Sequence, residues 1–213
     1  MGSISGEEHG KWHKYFLRLY LKMETYLRIT KSKPILRRYF IMNSFDGTMT
    51  SLGITIGSYI SYISDPRILI GVKIVGGLAM AISGFTGTYM TESAERASLL
   101  NDLEDSMLTD LSDTIYGDAS RYISFFAAMV DGSAPMLASL PGLIPFVLTL
   151  FGVIPIHYAF LTSIVADLTI LFLLGVFLGR ISGKNAIRSG LRMILAGILV
   201  TMLALLINGG FEG

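Results

Sequence analysis

Between Ile68 and Met90 the chain runs for 23 residues with a single charged side chain, Lys73. A surface helix of that length in a soluble domain keeps a polar face, because only one stripe of it meets a core. Here only Lys73 and a few hydroxyls break the apolar sequence. A helix needs about 20 mostly apolar residues to cross the hydrocarbon of a bilayer. Four further stretches of the chain come close to that requirement, from about Tyr39 to Ile63, Ile123 to Phe151, Ile156 to Leu178 and Leu191 to Ile207. The stretch from Ile123 to Phe151 contains Pro135, Pro141 and Pro145, which predict interruptions. The runs are long and lack two-residue alternation, so helices are expected rather than a barrel of strands. Only 15% of residues are charged, against about 25% in a soluble domain. The absence of cysteine excludes disulfide scaffolds and cysteine-held zinc. The expected fold is an all-α integral membrane protein with five transmembrane helices.

The basic residues give its orientation. Nine lie before the first crossing, from Lys11 to Arg38. Arg96 and Arg121 flank the segment between crossings two and three, and Arg180, Lys184, Arg188 and Arg192 lie between four and five. Five crossings therefore put 15 of 17 basic residues on one face. The positive-inside rule makes that face cytoplasmic, with the N-terminus inside and the C-terminus outside. Arg67 lies on the opposite face, and Lys73 is close enough to snorkel toward it. The first 35 residues are polar or amphipathic, and no cleavable signal is expected there.

The chain thus divides into a basic interfacial segment (1–36), crossings one and two (37–90), an acidic cytoplasmic helical segment (91–122) and crossings three to five (123–210). In the first, Trp12, Tyr15, Phe16, Leu19, Tyr20, Met23, Tyr26 and Leu27 recur at helical spacing among lysines and arginines. Such a helix lies on an anionic membrane surface. In the acidic segment, eight carboxylates stand against two arginines. Leu100, Leu103, Met107, Leu111 and Ile115 form one stripe, with Glu95, Asp102, Asp105 and Asp113 opposite. Oxygen ligands of this kind suit hard divalent cations, and a solvated acidic face accounts for the same pattern.

Three aspartates fall inside crossings: Asp46, Asp131 and Asp167. Ionisable groups in hydrocarbon are costly and usually face a cavity, a partner or a pathway. Asp46 lies about 12 Å beyond Arg38 and Asp131 about 15 Å beyond Arg121 at helical rise, which places them at similar depth. Each is followed by glycine. The plainer reading is that each bonds a neighbouring hydroxyl or Lys73. Asp167 serves equally as a proton-binding group or as a protonated packing residue.

The run Arg37-Arg38-Tyr39-Phe40-Ile41-Met42-Asn43-Ser44-Phe45-Asp46-Gly47-Thr48-Met49-Thr50-Ser51-Leu52-Gly53 resembles the first helix of the vacuolar iron transporter family. Ser83, Gly87, Tyr89 and Glu95 continue the likeness, as do Phe172-Leu173-Leu174-Gly175, Gly179-Arg180 and Gly190-Leu191-Arg192 leading into Gly197. The resemblance spans roughly Arg37 to Gly210. It implies a homodimer whose first helices line a metal pathway, moving ferrous iron and related ions out of the cytoplasm in exchange for protons. It also implies that Asp46 is the membrane-embedded metal-binding aspartate and Glu95 the acidic residue at the cytoplasmic mouth. The sequence departs from the family at Gly84, where a metal-binding methionine is usual, and at Thr88 and Gly76, where glutamates occur. The acidic segment is also much shorter than the metal-collecting domain of the plant-type members.

The expected function is export of a divalent cation, Fe²⁺ or Mn²⁺, with proton antiport and no permanently bound cofactor. Asp102, Asp105, Glu92 and Glu95 would collect and guide the ion to Asp46. Met49, Thr50 and Met80 are candidate secondary ligands, and Asp131 is a candidate for the proton or a second ion. The histidines (His9, His13, His157) lie outside the membrane core, and an all-oxygen pathway favours manganese, magnesium or calcium. The setting is a plasma membrane or a vacuole-type membrane, with no nucleic-acid partner. A non-transporting scaffold on the same fold is the main alternative. A membrane enzyme is less favoured, because neither Asp-Gly pair is followed by the Ala-Arg of the phospholipid head-group transferases, and nucleophile motifs are missing.

Overall fold

The computed structural model describes residues 21–209, with side chains to residue 207. Most of the expected interfacial helix, including Trp12, Tyr15, Phe16, Leu19 and Tyr20, lies outside the described residues, as do His9 and His13. From residue 21 the chain is helical to residue 29. Five long helices follow: α1 (Lys33–Ile60), α2 (Pro66–Met107), α3 (Ile115–Leu150), α4 (Ile156–Ile181) and α5 (Ala186–Gly209). The described residues contain no strand.

Local chemistry sets the helix ends. Asp65 accepts the backbone N–H of Arg67 at 2.9 Å, with Pro66 in the first helical position of α2. Asn185 accepts the N–H groups of Ile187 (3.1 Å) and Arg188 (3.3 Å) ahead of α5. Gly152 and Gly183, with φ of 72° and 64°, close α3 and α4. In each case the following N–H reaches back five residues, Val153 to Leu148 and Lys184 to Gly179.

Two expectations are corrected here. The prolines at 135, 141 and 145 do not interrupt the third crossing, since α3 is continuous through all of them. Prolines are tolerated in apolar helices packed among neighbours that can satisfy the freed backbone. The acidic segment, in turn, is not a helix of its own. Its first part continues α2 to Met107, and a turn at 108–114 separates it from α3. Asp110, Ser112 and Thr114 are turn and cap formers. Asp110 accepts the Ser112 N–H at 2.8 Å, Glu104 accepts the Leu111 N–H at 2.7 Å, and Leu108 has φ of 52°. The stripe from Leu100 to Ile115 is therefore split.

Among the described residues, four helices are long and apolar enough to cross a membrane: α2, α3, α4 and residues Ala186–Ile207 of α5. Many large apolar side chains on them point outward, among them Ile82 and Leu206, 67% and 69% exposed. That is the arrangement expected of surfaces that meet lipid. α1 is less apolar for a visible reason. Ser44, Thr48, Ser51 and Thr55 lie along one face of it and are all buried.

The chain forms two units. One comprises the described residues up to Arg37 with Gly87–Ala128, the other Arg38–Thr86 with the chain from Met129 onward. In the first, Tyr26 and Leu27 are buried, and Tyr26 meets Tyr122 edge-on with ring centres 5.5 Å apart. These two members of the aromatic stripe thus pack on protein. The second unit has two apolar clusters, one around Leu52, Ile56 and Leu171, the other around Leu69, Phe146, Ala159 and Phe160. Its α4 and α5 approach closely through glycine. A Cβ on Gly175 would lie 2.6 Å from the Gly190 Cα, and one on Gly179 would lie 2.7 Å from the Ala186 Cα. Gly175→Val is expected to cost roughly 1–3 kcal/mol by overpacking, read as a lower thermal midpoint of the detergent-solubilised protein. Gly71→Ala, which meets nothing within 4 Å, is expected to leave that midpoint unchanged or slightly raised.

Candidate functional site

In the unit formed by Arg38–Thr86 and the chain from Met129 onward, four helices place polar groups around one buried ammonium. Lys73 of α2 donates to the Ser51 hydroxyl of α1 (2.9 Å), the Gly142 carbonyl of α3 (2.9 Å) and the Ser163 hydroxyl of α4 (3.1 Å). Its Nζ lies 3.9 Å from the carboxylate of Asp167, also on α4, and 5.2 Å from the centre of the Phe146 ring. The two charged side chains are 2% and 0% exposed, so neither reaches solvent or lipid. Ser51 donates to Asp167 at 3.0 Å while accepting from Lys73, and so bridges the pair. Ser163 in turn donates to the Gly142 carbonyl at 2.6 Å and lies 3.2 Å from Thr55 Oγ1.

Lys73 therefore does not snorkel. It turns inward because every hydrogen of its ammonium finds an oxygen there, with a counter-charge beside them. Room for the carboxylate comes from Gly142, where any Cβ would overlap Asp167. Beside this cluster a crevice of about 10 Å³, the size of one water, is lined by Thr50, Ser51, Lys73, Met80, Pro135 and Ser139 among others. It brings two residues named from sequence, Thr50 and Met80, to the same place. Met49 instead packs against the Leu52–Leu171 cluster.

Asp46 is exposed on α1, one turn before Thr50. Gly47 lies against the Pro135 backbone with no space for a side chain. Asp131 is buried and accepts a hydrogen bond from Asn43, which also donates to the Tyr39 carbonyl at 3.1 Å. The Asp131 carboxylate occupies the ground in front of Gly84, where a Cβ would come to 3.0 Å from its Oδ2.

The acidic residues are dispersed. In the other unit, Glu92 is buried and bonded to Arg96 at 3.0 Å, and Arg96 also donates to Ser32 at 3.0 Å. Glu95, Asp102 and Asp105 are exposed. Ser112 bonds Asp110 through its side chain and backbone and holds that carboxyl below its ordinary range. Among the described residues, no three of the His, Asp and Glu side chains are grouped to hold a metal ion. The spacing of Lys73 and Asp167, 94 residues apart, carries no local signal. The clue was that Lys73 is the one basic residue deep in an apolar run.

Removing one member of the buried pair leaves the other charge uncompensated, at a cost of roughly 3–5 kcal/mol. Lys73→Met and Asp167→Leu are each expected to lower the thermal midpoint and the yield of folded protein. The double variant is expected to recover much of that loss, as a thermal double-mutant cycle in detergent would show.

Neither a family model nor a solved structure matches the chain. Over 178 residues it is 30% identical to the uncharacterized protein MJ0645 of Methanocaldococcus jannaschii, an alignment covering 82% of this chain and 89% of that one. With that identity over most of both lengths, the chain belongs to the same family as this archaeal protein.

Proposed function

We propose that the chain crosses the membrane five times with its N-terminus in the cytoplasm, and as a homodimer exports divalent cations of the iron or manganese type in exchange for protons. The observation that carries this reading is a row of polar groups leading into the apolar unit. Asp46 and Thr50 stand exposed on α1, and Thr50 borders the crevice lined by Ser51 and Lys73, the two groups that contact Asp167. α1 has 28 residues, about 42 Å at helical rise, which is enough to cross a bilayer core of roughly 30 Å. Its low hydropathy belongs to the buried hydroxyl face, which is hidden from lipid. An exposed carboxylate on such a helix is costly in hydrocarbon. A second copy against the same face of α1 removes that cost and brings two Asp46 carboxylates to one axis, an oxygen-rich site suited to a hard cation.

Proton coupling in this reading belongs to Lys73, Ser51 and Asp167. A cation arriving near the crevice repels the ammonium, and the Ser51 hydroxyl offers the proton a route between the two groups. The resemblance of the first helix to the vacuolar iron transporters supports the export reading and the role of Asp46. The scaffold reading draws on two observations: the dispersal of the acidic residues and the glycine at position 84. Asp131 fills the ground in front of that glycine, leaving no room for the methionine that the resemblance would put there.

Uptake into proteoliposomes under a pH gradient tests the proposal. Flux of Fe²⁺, Mn²⁺, Co²⁺ or Zn²⁺ is expected, falling at least about tenfold in Asp46→Asn, in line with loss of a charged ligand. In Lys73→Met protein that remains folded, any residual flux is expected to stop following the pH gradient. If pH dependence survives that change and is lost in Asp131→Asn, the proton belongs to Asp131. Absence of flux with every metal, from folded dimeric protein, leaves the scaffold reading.

A further inference from the structure

Within the unit that contains Gly87–Ala128, a cavity of about 280 Å³ opens between α2 and α3. The segment from Thr91 to Tyr122 has eight carboxylates and only two basic residues, Arg96 and Arg121. Both arginines line this one cavity, and no carboxylate does. With them stand Ser93 of α2 and Ser120 and Ser124 of α3. Ser124 donates to the Ser120 carbonyl at 3.0 Å. The hydroxyls of Ser93 and Ser120 make no hydrogen bond to any described residue and remain available to a ligand.

The guanidinium groups are held in place with donors to spare. Arg96 is fixed by Glu92 and Ser32, and Arg121 uses one amino group on the Ser112 carbonyl at 3.0 Å. A guanidinium has five N–H donors, so each keeps some unused. Glu92 balances Arg96, which leaves the charge of Arg121 for an incoming anion. The ligand that suits two forked guanidiniums and two free hydroxyls is a tetrahedral oxyanion, above all a phosphate.

The position of the cavity along the sequence indicates which phosphate. α2 is apolar up to Met90 and polar from Thr91, while α3 is polar up to Tyr122 and apolar from Ile123. The cavity lining, from Tyr89 to Leu100 and from Gly117 to Ser124, straddles both changes. In a membrane-spanning helix such a change marks the headgroup level, where tyrosine and basic pockets between helices collect. We propose that this cavity binds the phosphate of an anionic phospholipid headgroup, a role separate from the metal pathway.

Native mass spectrometry of the full-length protein, titrated with phosphatidylglycerol and with phosphatidylcholine, tests this directly, with inorganic phosphate as a soluble competitor. The wild type is expected to prefer the anionic lipid. Arg121→Gln is expected to reduce that preference about tenfold, as loss of a charge-assisted contact should, and Arg121→Lys to restore part of it. Ser93→Leu fills the cavity without changing charge and is expected to act like Arg121→Gln. Any contribution of the basic N-terminal segment is the same in every variant. Anionic preference equal to wild type in both Arg121→Gln and Ser93→Leu, with unchanged thermal midpoints, overturns the proposal. So does binding of inorganic phosphate with no preference between the lipids, which would identify a free phosphate as the ligand.

Discussion

Lys73 and Asp167 are withdrawn from water together, and neither can be withdrawn alone. An isolated ammonium or carboxylate in a low-dielectric interior costs several kcal/mol even after relaxation, which is far more than one helix contact returns. The two charges lie 3.9 Å apart, and three oxygens from three helices complete the ammonium's shell. This fixes the rotation of four helices at once. α1 must present Ser51, α2 must present Lys73, α3 must bring the Gly142 carbonyl, and α4 must set Ser163 and Asp167 one turn apart. The apolar clusters around Leu52 and Leu69 would tolerate a range of rotations. The polar cluster does not, because a buried polar group without its partner is penalised steeply.

The same constraint explains why α1 is polar on its inner face. In a membrane the solvent offers no advantage to burying leucine between helices, so association draws on packing, small residues and polar contacts. Ser44, Thr48, Ser51 and Thr55 supply one such line, and Gly175, Gly179 and Gly190 supply another by close approach. Apolar side chains such as Ile82 and Leu206 are left outside, where lipid accepts them.

Much of the architecture was legible in the sequence, because hydropathy over 20 residues reports the environment of a whole helix. The four most apolar spans, and the absence of strands among the described residues, follow from it directly. Features set by a few residues were less visible. The prolines of α3 predict breaks, yet the helix runs on through all three. The leucine stripe from 100 to 115 predicted one amphipathic helix, yet the short polar side chains from Asp110 to Thr114 bond their own backbone and end it. The sequence leaves Lys73 either snorkelling toward Arg67 or paired with an aspartate inside the crossings. Its counter-charge lies two helices away in the chain, where only the folded structure places it.

Asp131 and Gly84 carry the comparison one step further. That glycine is tight. A Cβ there would press on Asp131 Oδ2 at 3.0 Å and on the Gly132 Cα at 3.4 Å. Gly132 has no more room, since its own Cβ would meet the Ala81 carbonyl at 2.6 Å. Two glycines thus let α2 and α3 approach, and the aspartate between them takes up the vacated volume with Asn43 bonded to it. A side chain at position 84 would collide with Asp131, so the two positions constrain each other. The carboxylate and a side chain at position 84 are alternatives for one space, and this chain carries the carboxylate.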